Sequence, residues 1–341
     1  MAEYQKKEKF NPRKAFYWPD EASSLTVQHI KKTAEDDDAR KGISLGIEGV
    51  DEYVTPLMPG QVMSIVARPQ NYKSGLLEWV AMQAGRRVGA QSAGKEKKGF
   101  TEAIMFVSTE NLLEDIVVGD IARITSQDPA KLANGEVANM GAVVEAAMQL
   151  ATIPIFRVCN AIRAVDRYQP LHLTNIHHVM QYMVKQGIDI RGIVLDYLQA
   201  LPLDTAHRST GAMHQRRLQV RDDIYRLRDM ASEFTCPIWV GVQAKRDLNF
   251  VKDWYVADMR DAEETSAIEQ RSNRMINLWL PKTRVPPGTQ IEPPHGRVAI
   301  NVAENTIVLK VTKQQGRLPS GKTFVGEIEY TTGEIFNVRE M

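Results

Sequence analysis

The chain has 341 residues, with 43 Lys+Arg against 42 Asp+Glu for a formal charge of +1, and 43% of it is hydrophobic. That length allows one large domain or two smaller ones, and the composition excludes a disordered or collagen-like chain. Two cysteines, Cys159 and Cys236, are too few for a disulfide scaffold. There is no run of about 18 uncharged apolar residues, so no membrane span is expected. Met1 to Phe10 is charged and lacks an apolar signal region, which makes the cytoplasm the expected compartment. Near-zero net charge gives no global sign of a polyanionic partner but is compatible with a local basic surface.

Residues 1–20 are polar, carry Pro12 and Pro19, and read as an arm. A short helix is expected over Glu21–Thr33, and the acidic run Glu35–Asp38 reads as a solvated linker. From Gly42 the chain alternates strand-like and helix-like segments. Val62–Ala67 is a buried-strand candidate, and Gly75–Gly85 follows with helical spacing. After a charged Gly/Lys loop, Ala103–Val107 is the next apolar run, with a helix-like stretch to about Thr125. A helix is expected over Met140–Leu150, a strand over Ile153–Val158, and a helix capped by Thr174 running to about Gln186. Gly192–Leu195 is a third short apolar run, ending in Asp196. Val220, Ile224, Leu227, Ala231 and Phe234 then recur at helical spacing, with Arg and Asp on the other face. Pro237–Val242 and Met275–Leu280 are strands, and the Pro- and Gly-rich Arg284–Gly296 is a loop or hairpin excursion. The end reads as β hairpins over Val298–Val302, Ile307–Thr312 and Thr323–Val338, with a turn near Gly333. Short apolar strands alternating with helices indicate an α/β fold with a mostly parallel sheet covered on both faces.

Ala67-Arg68-Pro69-Gln70-Asn71-Tyr72-Lys73-Ser74, with Gly75 after it, lies between a predicted strand and a predicted helix. That is the place for a P-loop, where backbone N–H groups and a helix N-terminus hold phosphates, Lys reaches the β/γ oxygens and Ser meets Mg²⁺. Both glycines of the usual G-x-x-x-x-G-K-[ST] pattern are missing, replaced by Ala67 and Tyr72. Asp196 ends an apolar strand, where an acid can hold a Mg²⁺ water. Glu110 lies just beyond another strand, as a general base toward water would, and Gln243 follows a third, where an amide can sense a γ-phosphate. Four polar positions at the ends of four predicted strands point to one nucleotide site.

The chain resembles the ATPase domain of DnaB-type replicative helicases from about Gly42 to Val338. The residues that carry the resemblance are Gly42–Asp51, Pro59-Gly60-Gln61, the Ala-Arg-Pro opening of the P-loop, Phe106–Glu110, Asp196-Tyr197-Leu198-Gln199, Gln243–Arg246, Ser266–Gln270 and Lys313-Gln314-Gln315. Asp196–Gln199, similar to the family's Walker B tetrapeptide, is the most specific of these. The resemblance implies a RecA-like P-loop NTPase fold over residues 42–341, preceded by an arm, residues 1–41, with a helix that docks on an adjacent subunit. It also implies ATP and Mg²⁺ as cofactors, a homo-oligomer that is a hexameric ring with ATP at subunit boundaries, single-stranded DNA in the channel, and a loader or replication partner. About 40 residues precede the RecA-like part, too few for the family's N-terminal collar, so primase recruitment through a collar is not expected.

By that resemblance Lys73 and Ser74 hold phosphates and Mg²⁺, Asp196 orients Mg²⁺, Glu110 activates water, and Lys313 with Arg317 enters from a neighbour. Four departures stand against it. Tyr72 replaces a glycine, its ring either folding over the nucleotide or narrowing the site. Gly119 stands where the family has an arginine, with Arg123 one turn later. Gln315 holds the arginine-finger position, and Glu263 replaces an arginine that contacts the DNA backbone. Compensating positive charge is available on the loop from Leu203 to Arg217, with Arg208, Arg216 and Arg217, and at Lys245, Arg246 and Lys252. Phe250, Trp254 and Tyr255 either stack on bases or pack that segment onto the domain. His172, His177 and His178 lack the ordered ligand set of a structural zinc site. The expectation is a minimal DnaB-like helicase of a phage, plasmid or mobile element. The alternative is a nucleotide-gated assembly or adaptor protein with weak or absent turnover.

Overall fold

The computed structural model describes residues 18–35, 42–92, 99–162, 167–168, 170–202, 212–245, 254–262, 266–293, 299–316 and 319–341. The chain divides at Lys41/Gly42. In the first unit, helix α1 (Pro19–Glu35) opens with Asp20 and Glu21 in its first turn, where acids favour the helix dipole. Leu25, Val27 and Ile30 along it are exposed.

The second unit is built on a nine-stranded sheet of order β13-β12-β11-β8-β1-β7-β6-β2-β3. Its strands are β1 (Val62–Ala67), β2 (Glu102–Ser108), β3 (Ile155–Cys159), β6 (Asp189–Asp196), β7 (Ile238–Gln243), β8 (Arg274–Trp279), β11 (Thr306–Gln314), β12 (Thr323–Glu329) and β13 (Glu334–Glu340). The stretch from β8 to β3 is parallel. The last three strands add antiparallel, and Gly333, at φ 75°, turns β12 into β13.

Strand alternation sorts the core onto two faces. Val62 and Val66 of β1 face one side with Leu195, Val240 and Val242. That side is covered by α6 (Leu173–Lys185) and α7 (Ala212–Glu233), through Ile176, Met180, Val220, Ile224, Leu227 and Ala231. Met63 and Ile65 face the other side with Val194 and Trp239, under Leu76, Leu77, Val80 and Ala84 of α2 (Lys73–Ser92). A smaller cluster packs Trp279 and Val308 against Ile291 and Ile300 of the short pair β9 (Gln290–Ile291) and β10 (Ile300–Asn301). The expected Pro/Gly excursion thus contributes β9, which pairs with β10 in the segment expected as a strand over Val298–Val302.

The main sequence expectations correspond to observed elements, including the helices α3 (Leu113–Thr125) and α5 (Met140–Leu150). The structure adds α4 (Pro129–Ala133), capped by Asp128, and the two-residue strands β4 (Ala161–Ile162) and β5 (Arg167–Tyr168). Thr174 is not a cap: α6 starts at Leu173, and the Thr174 hydroxyl accepts a hydrogen bond from Arg226 at 3.0 Å. The segment around Trp254 and Tyr255 is packed onto the domain, both rings lying against Trp279 at 5.4 and 5.9 Å between centroids. Among the described residues no helix is long and apolar enough to cross a membrane.

Burial pushes the Asp223 carboxyl, on α7, up to about 6. A carboxyl that binds its proton more tightly folded than unfolded contributes stability at low pH. That contribution is lost as pH rises from the ordinary value of about 4 through 6. Relative to Asp223→Asn, the unaltered chain should therefore lose stability across that window and stay level above it, as urea-unfolding midpoints at stepped pH will show.

Candidate nucleotide site at the carboxyl edge of the sheet

The register of the parallel strands fixes the site. Ala67 pairs with Gln243, and Ser108 pairs with Asp196, so the ends of β1, β7, β2 and β6 share one edge. Ligands of open α/β sheets bind outside this edge. Glu110 follows β2, its backbone pinned on both sides. Thr109 N–H donates to Asp196 O at 2.9 Å, and Asn111 N–H donates to Ser108 Oγ at 3.0 Å. The Glu110 side chain is exposed.

Lys73 opens α2, so the unpaired N–H groups of that first turn face the loop before it. The Lys73 ammonium lies 2.7 Å from Asp196 Oδ1 and 3.7 Å from the centroid of the Tyr197 ring. Lys73 is 8% exposed and Asp196 is 0% exposed. Asp196 Oδ2 is buried without a hydrogen-bond partner among the described residues. The orphaned Asp196 oxygen, and the half-buried Ser74 that follows Lys73 in the chain, are the kind of oxygen donors a hydrated Mg²⁺ takes, so these residues fit the ion.

The rest of the loop divides by task. Asn71 is buried and turned inward, its Oδ1 accepting from Leu280 N–H at 2.7 Å while its Nδ2 donates to Pro69 O. Arg68 is also buried, and Pro69 and Gln70 are exposed. Gln70 and Tyr72 have φ of 62° and 64°. Tyr72 thus keeps the left-handed backbone of the glycine it replaces, a conformation that costs an L-residue about 1–2 kcal/mol.

Its side chain offsets that cost. The ring lies over Gly75, and its hydroxyl donates to Gly333 O at 3.0 Å. Tyr330 meets it edge-on at 6.1 Å. Burial holds the Tyr72 phenol above its usual range. The ring is thus held between Gly75 at the start of α2 and the β12–β13 turn.

A Cβ on Gly75 would lie 2.4 Å from the Tyr72 ring. Gly75→Ala should therefore cost about 1–3 kcal/mol through overpacking. In a Tyr72→Gly background the same change should cost far less, which a double-mutant cycle of unfolding midpoints will measure.

The space at Gly119 is used by Arg123, whose guanidinium binds Glu78 and, at 3.1 Å, Asp120. Arg157 binds Asp120 from β3. Two acids and two bases thus form one paired cluster, with Asp120 buried and Glu78, Arg123 and Arg157 half-buried. Gln315 is committed elsewhere: Asn273 Nδ2 donates to its Oε1 at 2.6 Å, and its N–H donates to Asn273 O. Lys313 donates to Glu269 O in its own chain, and burial lowers its ammonium below the usual range.

The residues expected to meet nucleic acid are placed unevenly. Arg208, Arg246, Lys252, Glu263, Phe250 and Arg317 lie outside the described residues. Arg217 is exposed, and Lys245 is exposed with its ammonium 3.0 Å from Arg260 O. Arg216 is half-buried and donates to the carbonyls of Leu201, at 2.9 Å, and Gln199. His177 bonds Glu233 at 2.9 Å and His172 faces Pro202 O, so both rings have protein contacts.

Sequence reasoning missed the side chain of Gln199. It accepts from Gln243 N–H at 3.0 Å and donates to Gln243 O at 3.3 Å, capping β7 as another strand would.

A family model described as the DnaB-like helicase C terminal domain matches residues 42–314. The chain belongs to that family. It is 25% identical over 259 residues to the replicative DNA helicase DnaB of Mycoplasma genitalium, a match that covers 75% of this chain and 50% of the relative. The chain thus spans about half the length of the curated relative it matches. Two solved structures share the fold at a TM-score of 0.70, and each match covers 94% of this DnaB-like chain. One is an ATPase domain, at 16% identity and 98% of its length. The other is a DnaB-like replicative helicase studied for its interactions with primase, at 17% identity and 69% of its length. The RecA-like fold expected from the sequence is therefore the fold observed.

Proposed function

We propose that residues 42–341 form an ATP-driven motor that moves single-stranded DNA through a ring of copies of this chain, with six copies as the expected number. The observation that carries this reading is the Lys73–Asp196 pair at the carboxyl edge, with Asp196 Oδ2 unsatisfied and Glu110 exposed at the end of β2. On ATP binding, Lys73 exchanges Asp196 for phosphate oxygens, and the N–H groups opening α2 hold the remaining phosphate charge. Ser74 and Asp196 would hold Mg²⁺, which supplies positive charge to the phosphates when bound. Glu110 takes the proton of the attacking water, and Gln243 reads the γ-phosphate. Lys313, after leaving Glu269 O, and Arg317 act from a neighbouring copy against transition-state charge. Arg217 and Lys245, with Arg208, Arg246 and Lys252, supply the positive groove that single strands require.

The second reading, a nucleotide-gated assembly protein with little turnover, is favoured by Tyr72 in a glycine position and by Gln315 locked to Asn273. Strand displacement on a forked DNA duplex separates them. A motor displaces the strand only with ATP and Mg²⁺. ATP binding without displacement or DNA-dependent turnover would support the assembly protein.

A further inference from the structure

Asp196 ends β6, and the chain leaves it through a short 3-10 turn, Leu198–Ala200. Three carbonyls around the exit of that turn are gripped from one face of α7. Arg216 donates to Gln199 O and Leu201 O, and Gln219 Nε2 donates to Pro202 O at 2.8 Å. Gln219 also donates to Asp223 Oδ2 at 3.2 Å. Arg216, Gln219 and Asp223 stand at i, i+3 and i+7, a polar stripe turned toward the sheet edge beside the apolar stripe of Val220, Ile224 and Leu227. Gln219 and Asp223 are buried, which makes this a built contact rather than a solvated face. Through its side chain, Gln199 holds both backbone groups of Gln243. A continuous hydrogen-bonded path therefore runs from the end of β7, through Gln199, to Arg216 near the start of α7.

We propose that Arg216 and Gln199 are positioning residues that hold Gln243, the turn Leu198–Ala200 and the start of α7 in one geometry, rather than Arg216 contacting DNA phosphate. A planar guanidinium donating to two carbonyls fixes their relative position in a way that a single ammonium does not. With that clamp in place, a displacement of Gln243 by nucleotide reaches the turn Leu198–Ala200 and, through Arg216, its exposed neighbour Arg217 on α7, without any change in the core strands. This rests on the reading of residues 42–341 as a DNA-stimulated ATPase.

The test uses the full chain, with Arg216→Gln, Arg216→Lys and Gln199→Met. Hydrolysis is measured without DNA and at saturating oligo-dT, and oligo-dT affinity is measured at several salt concentrations. The unaltered chain reports on the underlying reading: no stimulation there removes that reading, and this proposal with it. Given stimulation, all three variants should lower the ratio of stimulated to basal rate about ten-fold, the scale of one hydrogen bond from a charged donor. Their salt dependence should match the unaltered chain. Arg216→Lys behaving normally while Arg216→Gln loses about one unit of salt slope would assign Arg216 to phosphate and overturn the proposal. So would equal loss of basal and stimulated rates in step with a fall in thermal midpoint, the signature of a merely structural role. Gln199→Met leaves the charge untouched, so an unchanged ratio there overturns the link to Gln243 even if the Arg216 variants fail to fold.

Discussion

Lys73→Met should lower ATP hydrolysis by about 10²–10³-fold, the effect of removing one preorganised donor to developing charge. It should also destabilise the nucleotide-free protein. Asp196 is 0% exposed, and its Oδ1 is bonded to the Lys73 ammonium. Taking away one member of a buried ion pair leaves the other uncompensated, at a cost of about 3–5 kcal/mol. Replacing both, with Lys73→Met and Asp196→Leu together, should recover a large part of that cost while leaving hydrolysis abolished. Phosphate release and urea midpoints on the two single variants and the double variant check both halves.

Glu110→Gln should separate chemistry from stability. Its side chain is exposed, and its backbone is fixed by neighbours that the change does not touch: Thr109 on Asp196 O and Asn111 on Ser108 Oγ. Stability should stay within about 0.5 kcal/mol, as for an exposed position without a structural partner. Hydrolysis should fall by about 10²–10⁴-fold, because the amide cannot accept a proton from water. ATP should still raise the thermal midpoint, since the groups that hold phosphate are unchanged.

The central strands were legible because each is a short apolar run bounded by turn residues, and because Asp196, Glu110 and Gln243 are polar residues placed just where such runs end. The long helix α7 was legible from Val220, Ile224, Leu227 and Ala231, all of which are buried. The two-residue strands β4 and β5 were not, since two residues carry no period. Nor was the accommodation of Tyr72. Its partner Gly333 lies 261 residues away, and no local pattern joins them. Gly333 did announce a turn, but not what the turn supports.

The carbonyl contacts of Arg216 were hidden for a different reason. A run of basic residues beside a polar loop reads as positive charge offered to a single strand. The better signal lay in the helix itself, where Arg216, Gln219 and Asp223 repeat at the spacing of one face. A polar residue beside an apolar stripe can be buried when backbone carbonyls need donors. Those carbonyls belong to residues 199–202, and the turn that presents them was visible only in the folded chain.

Steady-state ATP hydrolysis by the unaltered chain, with and without single-stranded DNA and beside Glu110→Gln, tests the central claim most directly. DNA should stimulate turnover, and the Glu110→Gln variant should lose it while still binding ATP. Turnover that persists in that variant would contradict Glu110 as the base. ATP binding with no turnover above the variant would contradict the motor itself.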